Sequence, residues 1–481
     1  MRALLGSLVA AGAAVAGATA QGAPAIDTLA IKAHTHFLAH DQLRGRGTGS
    51  EGALTAALYI ASVCRALGLE PVGEDFHLPL PLEAARVGVG TRLEAWSGSE
   101  RFRFPYPRAV LPNVGSASTL VGFQGQAVFV GAEETIGRGG LVGLDLRGAV
   151  AVTWGPVGAA AVDSLRARGA TAVVHLVGTP ESFALYARTR GLDRYYHRDT
   201  TVQSSFLPRL PSVLAGPAVA RLLLADIVHG DSLPNSQPLR WQLSAHLDLA
   251  RRPVNEANVA CLARASGLAA DTAVVFTAHY DHLGVSAPDE AGDSIYNGFS
   301  DNAAAVGMLL AIASRSTAAS LPRYSRIFLF LSGEERGLLG SDYFVAHPAW
   351  PLERIRAVIN LDAGAPPAAP VRWRLAGVDS TGLGAVAIAA AGARGWTVST
   401  SPARANSDHY PFIREGVPGV FIIPGPLPYE GMTTEASQSL KDRWDRYHQA
   451  GDAWAEDFPF GGLERYAAFA LAIATALDRG P

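Results

Sequence analysis

Cysteine is almost absent from this chain of 481 residues, with only Cys64 and Cys261 present. Two thiols so far apart exclude a disulfide-stapled miniature scaffold and a cysteine-built zinc site, both of which need clustered cysteines. One disulfide stays open in an oxidising compartment, but their settings, the amphipathic stretch 53–67 and the strand-like stretch 258–262, read as two buried small apolar residues. Lysine is equally scarce, Lys32 and Lys441 standing alone against many arginines, and the formal net charge is −3 with both signs interspersed. That balance gives no electrostatic case for nucleic acid or an anionic membrane. There is no internal repeat, and no long low-complexity tract beyond the N-terminus. The early histidines His34, His36 and His40 lack further ligand types nearby and read as structural.

What is present begins at the N-terminus. Met1-Arg2, an apolar stretch 3–18 and the small-residue site Ala18-Thr19-Ala20 have the layout of a cleavable secretory signal over residues 1–20. No cysteine lies beside it to carry a lipid. The expected mature protein starts near Gln21, is secreted or periplasmic, and has no stable membrane insertion once the signal is gone. Its length calls for two domains.

The chemistry-bearing residues gather in the last third. His279 follows the apolar run 273–276, where a buried parallel strand would end, and loops at that edge are where open α/β sheets place their chemistry. Asp301 precedes the small apolar stretch 303–310, which reads as a helix packed closely on a sheet, so its carboxylate can bridge two ions from the helix start. Glu334 and Glu335 follow the strand-like 326–331. On a turn their side chains diverge, so that one can hold metal while the other takes a proton from water. Asp362 ends the run 357–361, and His448 stands near the C-terminus; each offers a single ligand. Nitrogen and carboxylate donors with one bridging carboxylate are what a pair of zinc ions needs. Zinc is favoured over manganese or cobalt by ligand type.

The strings His279-Tyr280-Asp281-His282-Leu283-Gly284, Ser300-Asp301-Asn302-Ala303, Ser332-Gly333-Glu334-Glu335-Arg336-Gly337, Asn360-Leu361-Asp362 and Tyr447-His448 together resemble the co-catalytic zinc peptidases of metallopeptidase family twenty-eight. The resemblance implies two zinc ions: Asp301 bridges them, His279 and Asp362 complete one site, and Glu335 and His448 complete the other. It implies Glu334 as general base and Asp281 as the residue that orients His279, in keeping with the rule that a ligating imidazole gives its other N–H to an acceptor. The segment 404–412 also resembles the family's active-site rim, which makes His409 and Tyr410 candidates to bind substrate at the carbonyl oxygen, or else part of a turn capped by Asp408. Ala304-Ala305 and Ala363-Gly364 depart from the family pattern without touching a ligand, which bears on pocket shape.

From about 112 to 250 the chain changes to short Val- and Gly-containing strands. Leu144-Asp145-Leu146-Arg147-Gly148 and 167–174 resemble a protease-associated domain. The expected organisation is a discontinuous catalytic domain, 26–111 and 251–481, interrupted by a β-rich insertion over 112–250. The expected catalytic fold is α/β, a mixed, mostly parallel sheet with helices on both faces. The expected activity is removal of N-terminal residues from a peptide substrate, because the arginines near the motifs, such as Arg336 and Arg404, do not form the cluster that a terminal carboxylate needs, and Arg336 reads as structural. Alternatives are a carboxypeptidase or dipeptidase, a glutaminyl-cyclase-like zinc transferase and a receptor-like binding protein. The last two would lack part of the ligand set.

Overall fold

In a computed structural model of the chain, residues 26–479 are described apart from 114–120, 191–192, 206–209, 229–232, 287, 319–321 and 380–381. The expected signal segment lies outside them. Continuous apolar runs become central strands: Ala273–His279 and Ser325–Leu331 are buried at every position, as a strand covered on both faces demands. They lie beside Ile355–Leu361 and Gly419–Pro424, and these neighbouring strands pair in parallel. Parallel pairing brings the chain ends of all of them to one edge of a 10-stranded mixed sheet. Antiparallel pairing extends the sheet on one side through Leu249–Ala263, His77–Val87 and Arg194–His197, and on the other through Arg372–Ala376.

Alternate side chains of these strands feed different helical layers. Val274, Phe276 and Phe328 pack under helices Thr28–Leu38, Glu51–Ala66, Ala304–Ala318, Gly382–Gly392 and Gly461–Asp478. Val275, Ile327 and Leu329 face Leu339–Ala346 and His409–Arg414 through Phe344 and Phe412. Close helix packing explains the small residues that follow Asp301. A Cβ on Gly307 would stand 2.6 Å from Thr35 Oγ1 and 3.0 Å from the Ile31 carbonyl, so a larger residue would push the first helix away.

Cys64 and Cys261 are not two inert apolar side chains; they form a disulfide. Both are buried, as expected. The pairing was invisible because it depends on the helix Glu51–Ala66 lying across the strand Leu249–Ala263, which brings the two Cα atoms to 6.2 Å.

A second, 8-stranded sheet is built within residues 92–246 and encloses its own apolar core around Phe129, Val152 and Trp241. It stands on a stem, since His77–Val87 leads into it and Leu249–Ala263 leads out, and these two strands pair along their length. Sheet membership crosses the expected 111/112 boundary. Strands Arg92–Ser97 and Glu100–Pro105 belong to the second sheet, while Arg194–His197 returns to the edge of the first. The chain beyond that returning strand is tied down: Ser205 donates through its N–H and hydroxyl to buried Asp342 at 2.8 and 2.6 Å, and Arg414 reaches the same carboxylate at 3.1 Å. No helix among the described residues is long and apolar enough to cross a membrane.

Candidate metal centre and cleft

The shared edge of the parallel strands carries the side chains singled out by sequence. His279 is the last residue of its strand, Glu334 and Glu335 sit on a short 3-10 turn just past Leu331, and Asp362 directly follows Leu361. Gly333 and Gly337 bracket the glutamate turn with φ of 78° and 107°, left-handed values that cost a β-carbon-bearing residue free energy. Asp301 lies on a tight turn, Phe299–Ala303, ahead of the Ala304–Ala318 helix. Gly298 starts that turn at φ 60°, and a Cβ there would come within 2.2 Å of the Asp301 carbonyl and 2.6 Å of the His282 ring. No residue but glycine fits.

Asp301 faces two ways. Its Oδ1 is 3.1 Å from His279 Nε2, and that nitrogen is 2.9 Å from Asp362 Oδ1. Its Oδ2 is 3.1 Å from His448 Nε2, which is 3.2 Å from Glu335 Oε2. The five side chains therefore fall into two groups that share one carboxylate. Donor atoms around a tetrahedral zinc with bonds of about 2.0–2.2 Å stand roughly 3.3 Å apart, so these spacings suit ligands facing a common ion. Two sets of donor atoms lie close enough to hold an ion, His279 with Asp301 and Asp362, and His282 with Asp301 and Glu335, and Glu334 belongs to neither.

The charges fit a cation as well. Burial and the neighbouring carboxylates hold Glu334 and Asp362 above the usual carboxylate range. Glu335 is held at about 2: burial opposes this, but hydrogen bonds from His282 and His448 prevail. His448 is pushed up to about 10 by Asp301 and Glu335 against the effect of burial. So many carboxylates at low exposure demand positive charge, which divalent ions supply without protonating the imidazoles that must ligate them.

Around the donors is a layer that sequence reading located only in part. His279 Nδ1 lies 3.0 Å from the main-chain carbonyl of Asp281 and 3.7 Å from its carboxylate, so the backbone oxygen is the hydrogen-bond acceptor. The Asp281 carboxylate instead accepts from Thr48 Oγ1 at 2.8 Å and from the Glu334 N–H at 3.2 Å, which fixes the glutamate turn. His282 was passed over as part of a motif string, yet its Nδ1 is 2.6 Å from Glu335 Oε1. The signal was there: a second histidine three residues after the first, at the same strand end. Asp452 accepts from the N–H groups of Ser300 and Asp301 at 3.0 and 3.2 Å and so anchors the turn that carries the shared carboxylate. Buried Arg46 donates to the carbonyls of Tyr280, Asn297 and Gly298 at 2.7, 2.6 and 2.9 Å, binding the His279 and Asp301 loops together.

The 404–412 segment reaches the centre through Ser407, whose hydroxyl donates to Asp362 Oδ2 and accepts from Asn360 Nδ2 at 2.6 Å. His409 and Tyr410, expected at the substrate carbonyl, are not among the residues that line the neighbouring cleft. His409 is fully buried with its ring 5.3 Å from that of Phe421, and burial lowers its pKa to about 4. Tyr410 is half-buried. At the start of the His409–Arg414 helix the His409 ring packs on Phe421 of the sheet.

That cleft has a volume of about 940 Å³ and opens beside Asp301 and Asp362. Pro366, Ile423, Leu427, Trp444 and Tyr447 give it apolar and aromatic walls. One face of the helix Thr434–Trp444 forms a side of it through Thr434, Gln438 and Lys441, three and four residues apart. Arg374 and Lys441 supply cations that no motif string announced.

Residues 259–474 match the family model described as peptidase family M28. Among solved structures, the chain is similar to an aminopeptidase from Aneurinibacillus sp. strain AM-1, with a TM-score of 0.56 at 17% identity over 94% of this chain and 93% of that one. It is also similar to a zinc aminopeptidase from Bacillus subtilis, with a TM-score of 0.49 at 16% identity over 94% and 95% of the two chains. No curated protein matches the sequence. At these identities the first likeness speaks to the fold, and it extends over both sheets. The matched segment 259–474 contains all the metal-facing side chains, and it marks this part of the chain as similar to the metallopeptidases of family M28.

Proposed function

We propose that the protein is a di-zinc aminopeptidase that works outside the cytoplasm. The observation that carries the two-ion reading is the orientation of Asp301, whose two oxygens each lie 3.1 Å from a different imidazole, His279 and His448. His279 and Asp362 would hold one zinc and Glu335 and His448 the other, with Asp301 common to both. Bound zinc supplies a Lewis acid for the peptide carbonyl and lowers the pKa of water toward neutrality.

The side chains do the rest. Glu334, outside both ligand groups and buried where its proton affinity is raised, takes the proton from the attacking water and returns it to the leaving amine. The Asp281 carboxylate holds the Glu334 N–H, and the Asp281 carbonyl fixes the tautomer of His279. Asp301, Glu334 and Asp362 place negative charge where the α-ammonium of a substrate would sit, which favours a free N-terminus. We read the second sheet as an inserted unit of the protease-associated kind that shapes access to the cleft. The disulfide and the signal-like N-terminus support a secreted or periplasmic location. The substrate is a peptide, and the charge pattern offers nothing for nucleic acid.

The test uses the zinc-loaded protein on short peptides with free and acetylated N-termini. Sequential release of N-terminal residues, suppressed by acetylation, supports this function. Equal rates on both peptides, or a requirement for a free C-terminal carboxylate, would overturn the aminopeptidase reading and leave the metal centre standing.

A further inference from the structure

Arg374 lies on the wall of the substrate cleft with an unmatched charge. In Arg372–Ala376 the side chains of Trp373 and Leu375 turn into the core, Trp373 against Tyr466 and Phe469, while Arg372 and Arg374 are exposed on the other face. Arg372 is engaged, donating to the Leu427 carbonyl at 2.7 Å. Lys441, the other cation of the cleft, is 3.5 Å from Asp445, and Asp301 and Asp362 belong to the metal centre. Arg374 forms no ion pair or side-chain hydrogen bond with any described residue, and it lines the cleft.

Strand register gives its distance from the chemistry. Leu361 pairs with Ile422, so Asp362 comes alongside Ile423, and Ile423 pairs with Arg374. Arg374 is therefore two strand spacings, roughly 10 Å along the sheet, from Asp362. An N-terminal residue whose ammonium sits at the Asp301, Glu334 and Asp362 carboxylates extends its side chain from the same carbon into this cleft. A carboxylate side chain reaching out and a guanidinium reaching in span that gap together. Proline, isoleucine and leucine walls take the methylene groups and exclude water, which strengthens the charge pairing at the tip.

We infer that the cleft selects peptides with an acidic N-terminal residue, glutamate or aspartate, and that Arg374 is the specificity residue that binds the side-chain carboxylate. This rests on the aminopeptidase reading. A planar guanidinium is suited to the task because it meets a carboxylate with two parallel hydrogen bonds.

The experiment compares kcat/KM of the zinc-loaded full chain for the para-nitroanilides of glutamate, glutamine, leucine and lysine. The wild type should prefer glutamate over its neutral isostere glutamine by about tenfold, the scale of one charge-assisted hydrogen bond. Arg374→Gln should bring that ratio close to one, Arg374→Lys should restore part of it, and Arg374→Glu should move the preference to lysine, a gain that loss of folding cannot produce. A wild type that hydrolyses these substrates without preferring glutamate over glutamine overturns this inference alone, as does a ratio unmoved in Arg374→Gln. Failure to hydrolyse any of them overturns the aminopeptidase reading and this inference with it. Hydrolysis of N-blocked peptides that needs a free C-terminus and Arg374 would reassign the arginine to a terminal carboxylate and overturn the proposal.

Discussion

The two sheets solve different problems with the same kind of strand. In the second sheet, Val150–Trp154 and Ala172–Leu176 run through an apolar core, and the two polar side chains they bury, Thr153 and His175, satisfy each other at 2.8 Å. At the edge of the first sheet, equally buried strands end in charge: His279, Asp281, His282, Asp301, Asp408 and Asp452 are all within 7% exposure. Buried charge without a partner costs several kcal/mol, so it persists only where something offsets it. Here the offset comes from Arg46, from backbone N–H groups aimed at Asp452 and Asp281, and from the cation that the clustered donors suit. The core of the second sheet settles its few polar groups internally, whereas the edge of the first carries an electrostatic load that a bound cation explains.

The sharpest way to test that difference is to remove the chemistry without disturbing the fold. Glu334→Gln keeps shape and hydrogen-bonding capacity but cannot accept the proton. It should cut kcat by about a thousandfold, within the range set by general acid–base catalysis, with zinc content by elemental analysis unchanged. Loss of zinc in this variant, with Glu335→Ala retaining it, would exchange the roles of the two glutamates.

Next in size is the staple of the first sheet. Replacing both Cys64 and Cys261 with alanine reopens a loop of 197 residues in the unfolded chain. Stability to urea should fall by about 3 kcal/mol, with the loop-entropy ceiling nearer 5. An unchanged midpoint would mean that the helix Glu51–Ala66 is held by packing alone.

The seam between the regions has a pH signature of its own. His197, on the strand that returns from the second sheet, stacks against Tyr343 with ring centres 5.8 Å apart, and burial lowers its pKa to about 4 with Asp199 opposing. The unfolded chain binds this proton below about pH 6.5 and the folded chain does not until about 4. The stability that neutral His197 contributes is thus whole above pH 6.5 and is lost as the pH falls through 4. Measured against His197→Gln, the wild-type advantage should be constant above pH 6.5 and decline by at most about 3 kcal/mol toward pH 4. A flat difference across that window would show that the ring is hydrated in solution.

The smallest effect belongs to the surface of the second sheet. Arg240 pairs with Glu100 at 2.5 Å and Asp226 at 2.8 Å, all substantially exposed. Arg240→Ala should cost less than about 1 kcal/mol and leave zinc content and kcat unaltered.

Legibility in the sequence followed the same division. Four of the five metal-facing residues, His279, Asp301, Glu335 and Asp362, could be read because each stands at or just past the end of an apolar strand or ahead of a helix, and parallel pairing brings the strand ends to one edge. His448 sits on a turn and was legible only through the Tyr447-His448 string. Residues that act across the fold left no local mark. Arg46 meets the carbonyls of Asn297 and Gly298 from the other end of the chain, Asp452 meets Asp301 across a turn, and Arg374 reaches the cleft through a strand order that sequence does not encode locally. The pairing of Cys64 with Cys261 was hidden for the same reason. In the rim-like segment, His409 is packed inward by the helix it begins, and it is Ser407 that makes the contact with Asp362, which no local pattern announced. The second sheet showed its strands readily, but apolar strands of ordinary composition do not say which sheet they join, and so Arg194–His197 and the strands between 92 and 105 fell on the other side of the expected boundary.

The central claim is that Asp301 is shared by two ions, and metal stoichiometry measures it. Elemental analysis of the purified chain after equilibration with zinc and removal of excess should give two zinc ions per chain, and Asp301→Ala should retain fewer than one. A wild type that saturates at a single zinc, or an Asp301→Ala variant that keeps two, would contradict the account.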